Sequence, residues 1–154
     1  LDAEVGGERH AAVNDVVVAS SIVGRMIELG WGIGGEDLGV QPCDGVICST
    51  PSGSTGYNLS NGGPVLVWGL DAQALTFIAP HSLHARPLVV PRGRDVEIEN
   101  RTVDVPAQVL VDGRPIAELG TGDVVVARLS EQSRLLAHLP ESTFFRRYKE
   151  TFAS

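Results

Sequence analysis

The chain has 154 residues, enough for one domain with a buried core. Charged residues make up 20% and hydrophobic residues 43% of it, which is typical of folded globular proteins and argues against a disordered chain. The formal net charge of −7 argues against a nucleic-acid-binding protein and against a protein that binds anionic membranes, because both need basic surfaces.

The cysteine content and the lack of targeting signals predict a cytoplasmic protein. Cys43 and Cys48 are the only cysteines, and two thiols fit a reducing compartment better than a disulfide scaffold. No histidine accompanies them at ligand spacing, so we expect no zinc site. No apolar run is long enough to span a bilayer, and no signal peptide opens the chain. Because residues 1–5 already read as a strand with no initiator Met before them, we expect a fragment.

Taken in chain order, the sequence predicts short strands separated by turns. The predicted strands cover residues 1–5, 11–19, 25–31, 38–41, 46–49, 75–78, 88–90, 95–99, 107–111, 115–119, 124–129 and 135–139. The clearest hairpin turns at Asp112-Gly113, a dipeptide favoured in two-residue β-turns. Strands separated by a turn about every 8–12 residues predict a mainly β fold, namely a two-sheet antiparallel β-sandwich.

One short internal helix is predicted between the strands. Residues 55–61 are long enough for two helical turns, with Ser54 or Thr55 as the N-cap. Gly62-Gly63-Pro64 would end the helix, because glycine adopts the left-handed conformation that closes helices and proline cannot continue one.

The densest chemical feature is a loop of Ser, Thr, Gly and Pro after the predicted strand 46–49. Residues 49–64 read Ser-Thr-Pro-Ser-Gly-Ser-Thr-Gly-Tyr-Asn-Leu-Ser-Asn-Gly-Gly-Pro. Small residues let a ligand approach the backbone, and hydroxyls and exposed N–H groups donate to phosphate or sugar oxygens. On chemistry alone, an ordinary surface loop is an equally good interpretation. The loop is neither a Walker A motif, which needs a Lys after the glycines, nor a Gly-x-Ser-x-Gly elbow.

Three other motifs have structural interpretations. Gly30-x-Gly32-x-x-Gly35 matches the dinucleotide fingerprint, but it leads back into a strand instead of opening a helix, which favours hairpin glycines. Asn14-Asp15 interrupts an apolar run, so it is either an edge or bulge position or a hydroxyl-binding pair; the residues alone slightly favour the former. His81 and His84 have no third metal ligand in view, which favours hydrogen bonds that order a loop.

In their order along the chain, these motifs resemble the signature of the ATP-dependent NAD kinases. That family has Asp-Gly, then Ser-Thr-Pro-Thr-Gly-Ser-Thr-Ala-Tyr, then Ser-x-Gly-Gly-Pro, and this chain has Asp44-Gly45 followed by the loop above. Asn14-Asp15 stands where the family has Asn-Glu, and Asp112-Gly113 also matches. Residues 80–87, Pro-His-Ser-Leu-His-Ala-Arg-Pro, stand where it has Pro-His-x-Leu-x-Ala-Arg-Pro. The resemblance covers essentially the whole chain.

The resemblance implies that residues 1–154 are the NAD-binding, C-terminal β-sandwich domain of such a kinase. Carried over by position, Asn14 and Asp15 would bind ribose hydroxyls or base, and Asp44 would help to recognise the dinucleotide, with a contact across a subunit boundary as one option. The further residues that would line or contact NAD are Thr55, Gly56, Tyr57, Ser60, Arg25, Ala79 and Arg114. The family's reaction moves the γ-phosphoryl of ATP to the adenosine 2′-hydroxyl of NAD with Mg²⁺ or another divalent cation. A homodimer or homotetramer is also implied.

Three departures from the family pattern bear on function. Asp15 is one methylene shorter than the family's Glu, and Gly56 replaces an Ala, which we expect to be harmless. The Gly-Gly-Asp-Gly motif, whose Asp is the family's general base in the N-terminal half, is absent from this sequence. We therefore expect no catalytic residue and no metal site in this chain, and no kinase turnover from it alone.

The end of the chain predicts a helical tail. Residues 141–152 carry aromatic side chains at helical spacing, with Ser142 or Thr143 as the cap, and the tail 141–154 is expected to pack on the N-terminal domain. Two other functions stay open: a catalytically silent oligomerisation or binding module, and a related lipid-kinase-like domain, which the polar loop disfavours. The phosphoryl donor, ATP or polyphosphate, is not fixed by the sequence.

Overall fold

The computed structural model describes residues 1–132 and 143–153. The strands within them are β1 (Asp2–Val5), β2 (Glu8–Ala11), β3 (Asp15–Ser20), β4 (Ile27–Ile33), β5 (Glu36–Cys43), β6 (Gly45–Ser49), β7 (Ala72–Ile78), β8 (Leu88–Pro91), β9 (Val96–Asn100), β10 (Ala107–Val111), β11 (Arg114–Leu119) and β12 (Val124–Arg128). The helical elements are a 3₁₀ turn (Gly53–Thr55), α1 (Tyr57–Ser60) and α2 (Phe144–Phe152). The predicted strand 135–139 and the candidate cap Ser142 lie outside the described residues.

The described strands form two six-stranded sheets. The first has the order β2-β1-β12-β9-β4-β5 and the second β11-β10-β3-β6-β7-β8. Neighbouring strands are antiparallel in both sheets. The predicted fold, mainly β with two antiparallel sheets, one short internal helix and a helical tail, is confirmed.

The hydrophobic core lies between the sheets, where alternate side chains of each strand meet. Leu29 and Ile98 from the first sheet and Val18 and Val46 from the second are fully buried. Burial of each such side chain contributes about 1.5–3 kcal/mol. Ile47 points to the opposite face of β6, yet it is also fully buried, because α1 packs against β6 there.

The predicted strand 11–19 is wrong over residues 12–14, which form a loop. Strand β2 ends at Ala11 and β3 begins at Asp15. The backbone N–H groups of Val13 and Asn14 donate to the carboxylate of Asp112 and not to a neighbouring strand. The segment is a short loop for that reason, and the polar pair lies at the start of β3 in the middle of the second sheet.

The predicted helix 55–61 is shorter than expected, and its predicted cap is wrong. Gly56 separates the 3₁₀ turn from α1 and stands at the cap position, where no side chain caps the helix. The Ser54 hydroxyl instead donates to the Pro51 carbonyl and accepts from the Leu66 N–H. Gly62, with φ +76°, follows the end of the helix as predicted. In the tail, the Thr143 side chain accepts from Arg146 N–H, which confirms Thr143 as the cap of α2.

Candidate functional site

The Ser/Thr/Gly loop is seated directly against the backbone of Asn14. Thr50 N–H donates to the Asn14 carbonyl (2.9 Å), and the Thr50 hydroxyl donates to the Val13 carbonyl (2.7 Å). Gly53 lies so close that a Cβ atom placed there would be 2.2 Å from the Asn14 carbonyl oxygen. Only glycine allows this approach, so the sequence motif and the polar pair form one surface.

Within the loop, the buried and the exposed residues have different roles. Asn58 is fully buried, donates to the carbonyls of Ser54 and Pro64 (both 2.9 Å) and accepts from the Thr76 hydroxyl (2.7 Å). Gly63 packs against this pair, since a Cβ there would overlap the Asn58 oxygen. Buried polar groups that are satisfied in this way hold a loop in one conformation. Asn58 is therefore a structural residue of the motif.

The four loop residues that the resemblance assigns to NAD are all on the solvent side. These exposed residues are Thr55, Gly56, Tyr57 and Ser60. Tyr57 is 47% exposed although it is aromatic, so its ring is available to a ligand. The loop thus presents a hydroxyl-rich face, and its buried residues anchor it to the sheet.

Asp112 organises the other half of this surface. Its carboxylate accepts three backbone N–H bonds, from Val13 (2.8 Å), Asn14 (2.7 Å) and Asp15 (3.2 Å). Burial works to raise the pKa of this carboxyl, but the three N–H bonds outweigh it and hold the pKa below its ordinary value. The Asp112-Gly113 hairpin turn is confirmed, with φ +48° and +76°. Sequence reasoning missed the bond to residues 13–15, because about a hundred residues separate the partners and the dipeptide is explained by its turn.

Asp15 is a buried acid beside a second acid. Only 9% of it is exposed, and both burial and the charge of Asp112 raise the pKa of its carboxyl. Asn14, one residue earlier, is exposed. The pair therefore offers one exposed amide and one largely buried carboxyl at the foot of the loop.

Three of the predicted site residues lie at the opposite end of the second sheet. Asp44 precedes β6, where its carbonyl accepts from Ser20 N–H and its N–H donates to the Ile78 carbonyl. Along β6 this is about 17 Å from Ser49, at about 3.4 Å per residue. Arg25 and Ala79 belong to the same end, because Ile27 pairs with Cys43 and β7 ends at Ile78. The structure does not bring these three residues to Asn14.

Arg114 lies at the near end. It is the first residue of β11, directly after the Asp112-Gly113 turn, and it is exposed. Its backbone follows the turn whose Asp112 carboxylate binds residues 13–15.

The glycine motif has the structural role that the sequence favoured, and hydrogen bonds from the backbone and from Arg86 order the loop that carries the two histidines. Gly34 and Gly35 (φ +61° and +83°) form the turn between β4 and β5, so the apparent dinucleotide fingerprint is a hairpin. The Arg86 guanidinium donates twice to loop carbonyls (2.8 Å each), and the backbone N–H of His81 donates to the Pro42 carbonyl.

The described residues do not suit a divalent cation. Across residues 1–132 and 143–153 there is no group of three or more His, Cys, Asp or Glu that could hold a metal ion. Both oxygens of Asp112 already accept backbone N–H groups, which leaves the Asp15 carboxyl as the remaining acidic group beside Asn14.

A cleft of about 430 Å³ borders the loop at Thr50 and Ser52 and also reaches Val13. The helical tail lies near this cleft: the Phe144 ring meets the Trp68 ring edge-on at 5.5 Å, and the Arg147 guanidinium lies 5.5 Å from the same ring. None of the helices in the described part of the chain is long and apolar enough to cross a membrane.

The fold and this surface define a class of domain: an antiparallel β-sandwich whose hydroxyl-rich loop is fixed against an Asn-Asp pair. The family model of the ATP-NAD kinase C-terminal domain matches residues 13–139. The chain belongs to this family.

Named relatives agree with the family assignment. The chain is 42% identical over 141 residues to an NAD kinase of Heliobacterium modesticaldum, covering 92% of this chain and 50% of that protein. It is 37% identical over 153 residues to an NAD kinase of Wolinella succinogenes, covering 99% of this chain and 52% of that protein. The chain thus spans about half the length of these curated relatives.

Two solved structures share the fold. Yeast NADH kinase complexed with NADH superposes with a TM-score of 0.85 at 25% identity, covering 99% of this chain and 48% of that one. An NAD kinase from Archaeoglobus fulgidus in complex with ATP gives a TM-score of 0.71 at 28% identity, covering 84% and 50%.

Proposed function

We propose that this chain is the NAD-holding half of an NAD kinase, which phosphorylates the adenosine 2′-hydroxyl of NAD with ATP to give NADP. The observation that carries the proposal is the contact between the two predicted binding segments. The loop exposes Thr55, Gly56, Tyr57 and Ser60 while Gly53 seats it on Asn14. Two sequence-distant polar segments with exposed donors and acceptors form one surface, which is what a ligand with ribose and phosphate groups needs.

Each residue of this surface has a role in the proposal. The exposed amide of Asn14 and the carboxyl of Asp15 bind ribose hydroxyls or base. The hydroxyls of Thr55 and Ser60 and the ring of Tyr57 line the nucleotide. In a chain of net charge −7, binding of the pyrophosphate relies on such neutral donors and on local cations such as Arg114.

The distant group supports a contribution from a second copy of the chain. Asp44 lies about 17 Å from the start of the loop along β6, at about 3.4 Å per residue, and Arg25 and Ala79 belong to the same end of the sandwich. A dinucleotide held at Asn14 would most simply contact the copies of these three residues that a neighbouring subunit supplies. We therefore include a homodimer or homotetramer in the proposal, with these residues on the shared side.

We assign the phosphoryl-transfer chemistry to residues outside the described part of this chain. In the NAD kinase family that this sequence resembles, the general base is an Asp in the N-terminal half. The cation would be held there with ATP. Phosphoryl transfer depends chiefly on positioning and on charge stabilisation. This chain's contribution is to hold the ribose so that its 2′-hydroxyl faces the phosphoryl donor.

The tail and the thiols complete the proposal. Helix α2 has no buried residue and exposes Phe145, Tyr148 and Phe152, so we assign it to packing against the N-terminal half. Cys43 and Cys48 are both free and buried, which is consistent with a reducing, cytoplasmic compartment.

Calorimetric titration with NAD tests the proposal. The chain should bind NAD, and Asn14→Ala should weaken binding by about tenfold, which corresponds to about 1.4 kcal/mol. If the wild type and Asn14→Ala gave the same titration curve, an oligomerisation or binding module would be the better interpretation of the chain. A coupled assay on the isolated chain should detect no NADP formation, and robust turnover by these residues alone would refute the assignment of the base to another half.

A further inference from the structure

We propose that Asp112 is a positioning residue for NAD, because its carboxylate fixes the backbone that carries Asn14 and Asp15. The inference rests on the function proposed above. Three N–H groups of consecutive residues converge on this one side chain at 2.7–3.2 Å. Asp112 touches no reacting atom in the proposal and acts through the residues that it holds.

The turn itself does not require a carboxylate. A hairpin of this kind needs positive φ at both central residues, and Asn-Gly or Gly-Gly satisfies that need as well as Asp-Gly. Asp112 N–H already donates to the Asp15 carbonyl (3.0 Å), which joins the hairpin to β3 through the backbone. The three additional bonds to the carboxylate therefore serve residues 13–15 and not the hairpin.

The N–H groups that donate these bonds have few other hydrogen-bond partners. Val13 and Asn14 lie between β2 and β3, so their N–H groups have no strand partner. Successive N–H groups that point to one side form a concave anion site, and here the protein's own carboxylate fills it. The Val13 and Asn14 N–H groups are directed at Asp112, and Asn14 itself remains exposed.

The electrostatic state of the site is consistent with this role. The three N–H bonds hold the pKa of Asp112 below its ordinary value, so the carboxylate is charged at neutral pH. Hydrogen bonds to a charged acceptor are stronger than hydrogen bonds to a neutral one. Loss of the charge should therefore release the segment more than the loss of one ordinary loop contact would.

The design of the variants separates the carboxylate from the turn. Asp112→Asn keeps one carbonyl oxygen but turns an NH₂ toward a former N–H donor, and Asp112→Gly removes all three acceptor contacts. Both residues adopt φ near +48° readily, so the hairpin is kept in both. Asp123→Asn is the matched control, because the Asp123 carboxylate also accepts a backbone N–H in a turn (Gly120, 2.8 Å) but lies at the other end of β11.

Two measurements on the 154-residue chain test the inference. Amide hydrogen exchange at Val13 and Asn14 should accelerate by about tenfold in Asp112→Gly, and less in Asp112→Asn. NAD affinity measured by NMR titration should be about tenfold weaker in Asp112→Gly, the same loss as in Asn14→Ala, and less weakened in Asp112→Asn. It should be unchanged in Asp123→Asn. Circular dichroism checks that each variant is folded.

The outcomes distinguish this inference from the function on which it rests. If Asn14→Ala loses affinity but folded Asp112→Asn and Asp112→Gly bind NAD like the wild type, the positioning role is wrong and the NAD site stands. If the wild type does not bind NAD, or Asn14→Ala binds as well, the proposed function is wrong and the inference is overturned with it. Unchanged exchange at Val13 and Asn14 in Asp112→Gly would also overturn it, whatever the affinity.

Discussion

Gly53→Ala is the substitution that most directly tests how the loop meets the Asn14 segment. A Cβ at Gly53 would be 2.2 Å from the Asn14 carbonyl oxygen and within 2.7 Å of two more backbone atoms of Asn14. Backbone atoms cannot rotate away as a side chain can. To reach an ordinary 3.4 Å contact, the loop must retreat by about 1.2 Å.

The energetic cost follows from that retreat. Such a shift would break the 2.9 Å bond from Thr50 N–H to the Asn14 carbonyl, which is worth about 1 kcal/mol, and overpacking adds about 1–3 kcal/mol. The φ of Gly53 is not positive, so Ala itself is not strained there and recovers about 0.4–1 kcal/mol from the unfolded state. We expect a net loss of about 2 kcal/mol in the free energy of unfolding and at least about tenfold weaker NAD binding.

Urea denaturation and NAD titration measure both effects, and Gly30→Ala is the control. A Cβ at Gly30 is tight only against the Arg101 side chain, at 3.1 and 3.2 Å, which is flexible and half exposed, and it makes an ordinary contact with the Glu99 Cβ at 3.6 Å. This variant should lose less than about 1 kcal/mol and bind NAD normally. Equal stability of Gly53→Ala and Gly30→Ala would refute the claim that the loop is fitted to Asn14.

Three further expectations concern buried polar groups. Asn58→Ala leaves three polar partners unsatisfied and should lower the free energy of unfolding by about 2–4 kcal/mol in chemical denaturation. Asp15 has a raised pKa in the folded state, so its ionised form destabilises the fold, and that penalty is relieved as the pH falls through the raised pKa. Asp15→Asn should therefore be more stable than the wild type at pH 7, with the advantage vanishing in acid; a constant difference across pH would contradict this. Burial raises the pKa of both Cys43 and Cys48 to about 12, so a thiol reagent at pH 8 should label them only after unfolding. Rapid labelling of the folded chain would contradict their burial.

The sequence predicts the fold well because its signals are local. Alternating apolar residues and Asp-Gly or Gly-Gly turns define most strands, and Thr143 defines the start of the tail helix. The failures occur where a distant partner decides the local structure. The strand predicted over 11–19 breaks because Asp112 binds its backbone, and Ser54 is not a cap because Leu66 N–H occupies its hydroxyl.

The same limit applies to the candidate site. Composition alone left the loop undecided between a binding loop and a surface loop, and the resemblance gave the residue assignments. The structure separates buried Asn58 from its exposed neighbours and places Asp44 far from Asn14, and neither distinction is written in residue type or spacing. Such distinctions depend on which face of the sheet a loop covers.

The measurement that tests the central claim most directly is an amide-resolved NMR titration of the chain with NAD. If the loop and the Asn-Asp pair hold the dinucleotide together, the amide signals of Asn14, Asp15 and residues 55–57 should shift in parallel and saturate at one affinity. Saturable shifts confined to other surfaces, with these amides unmoved, would contradict the account.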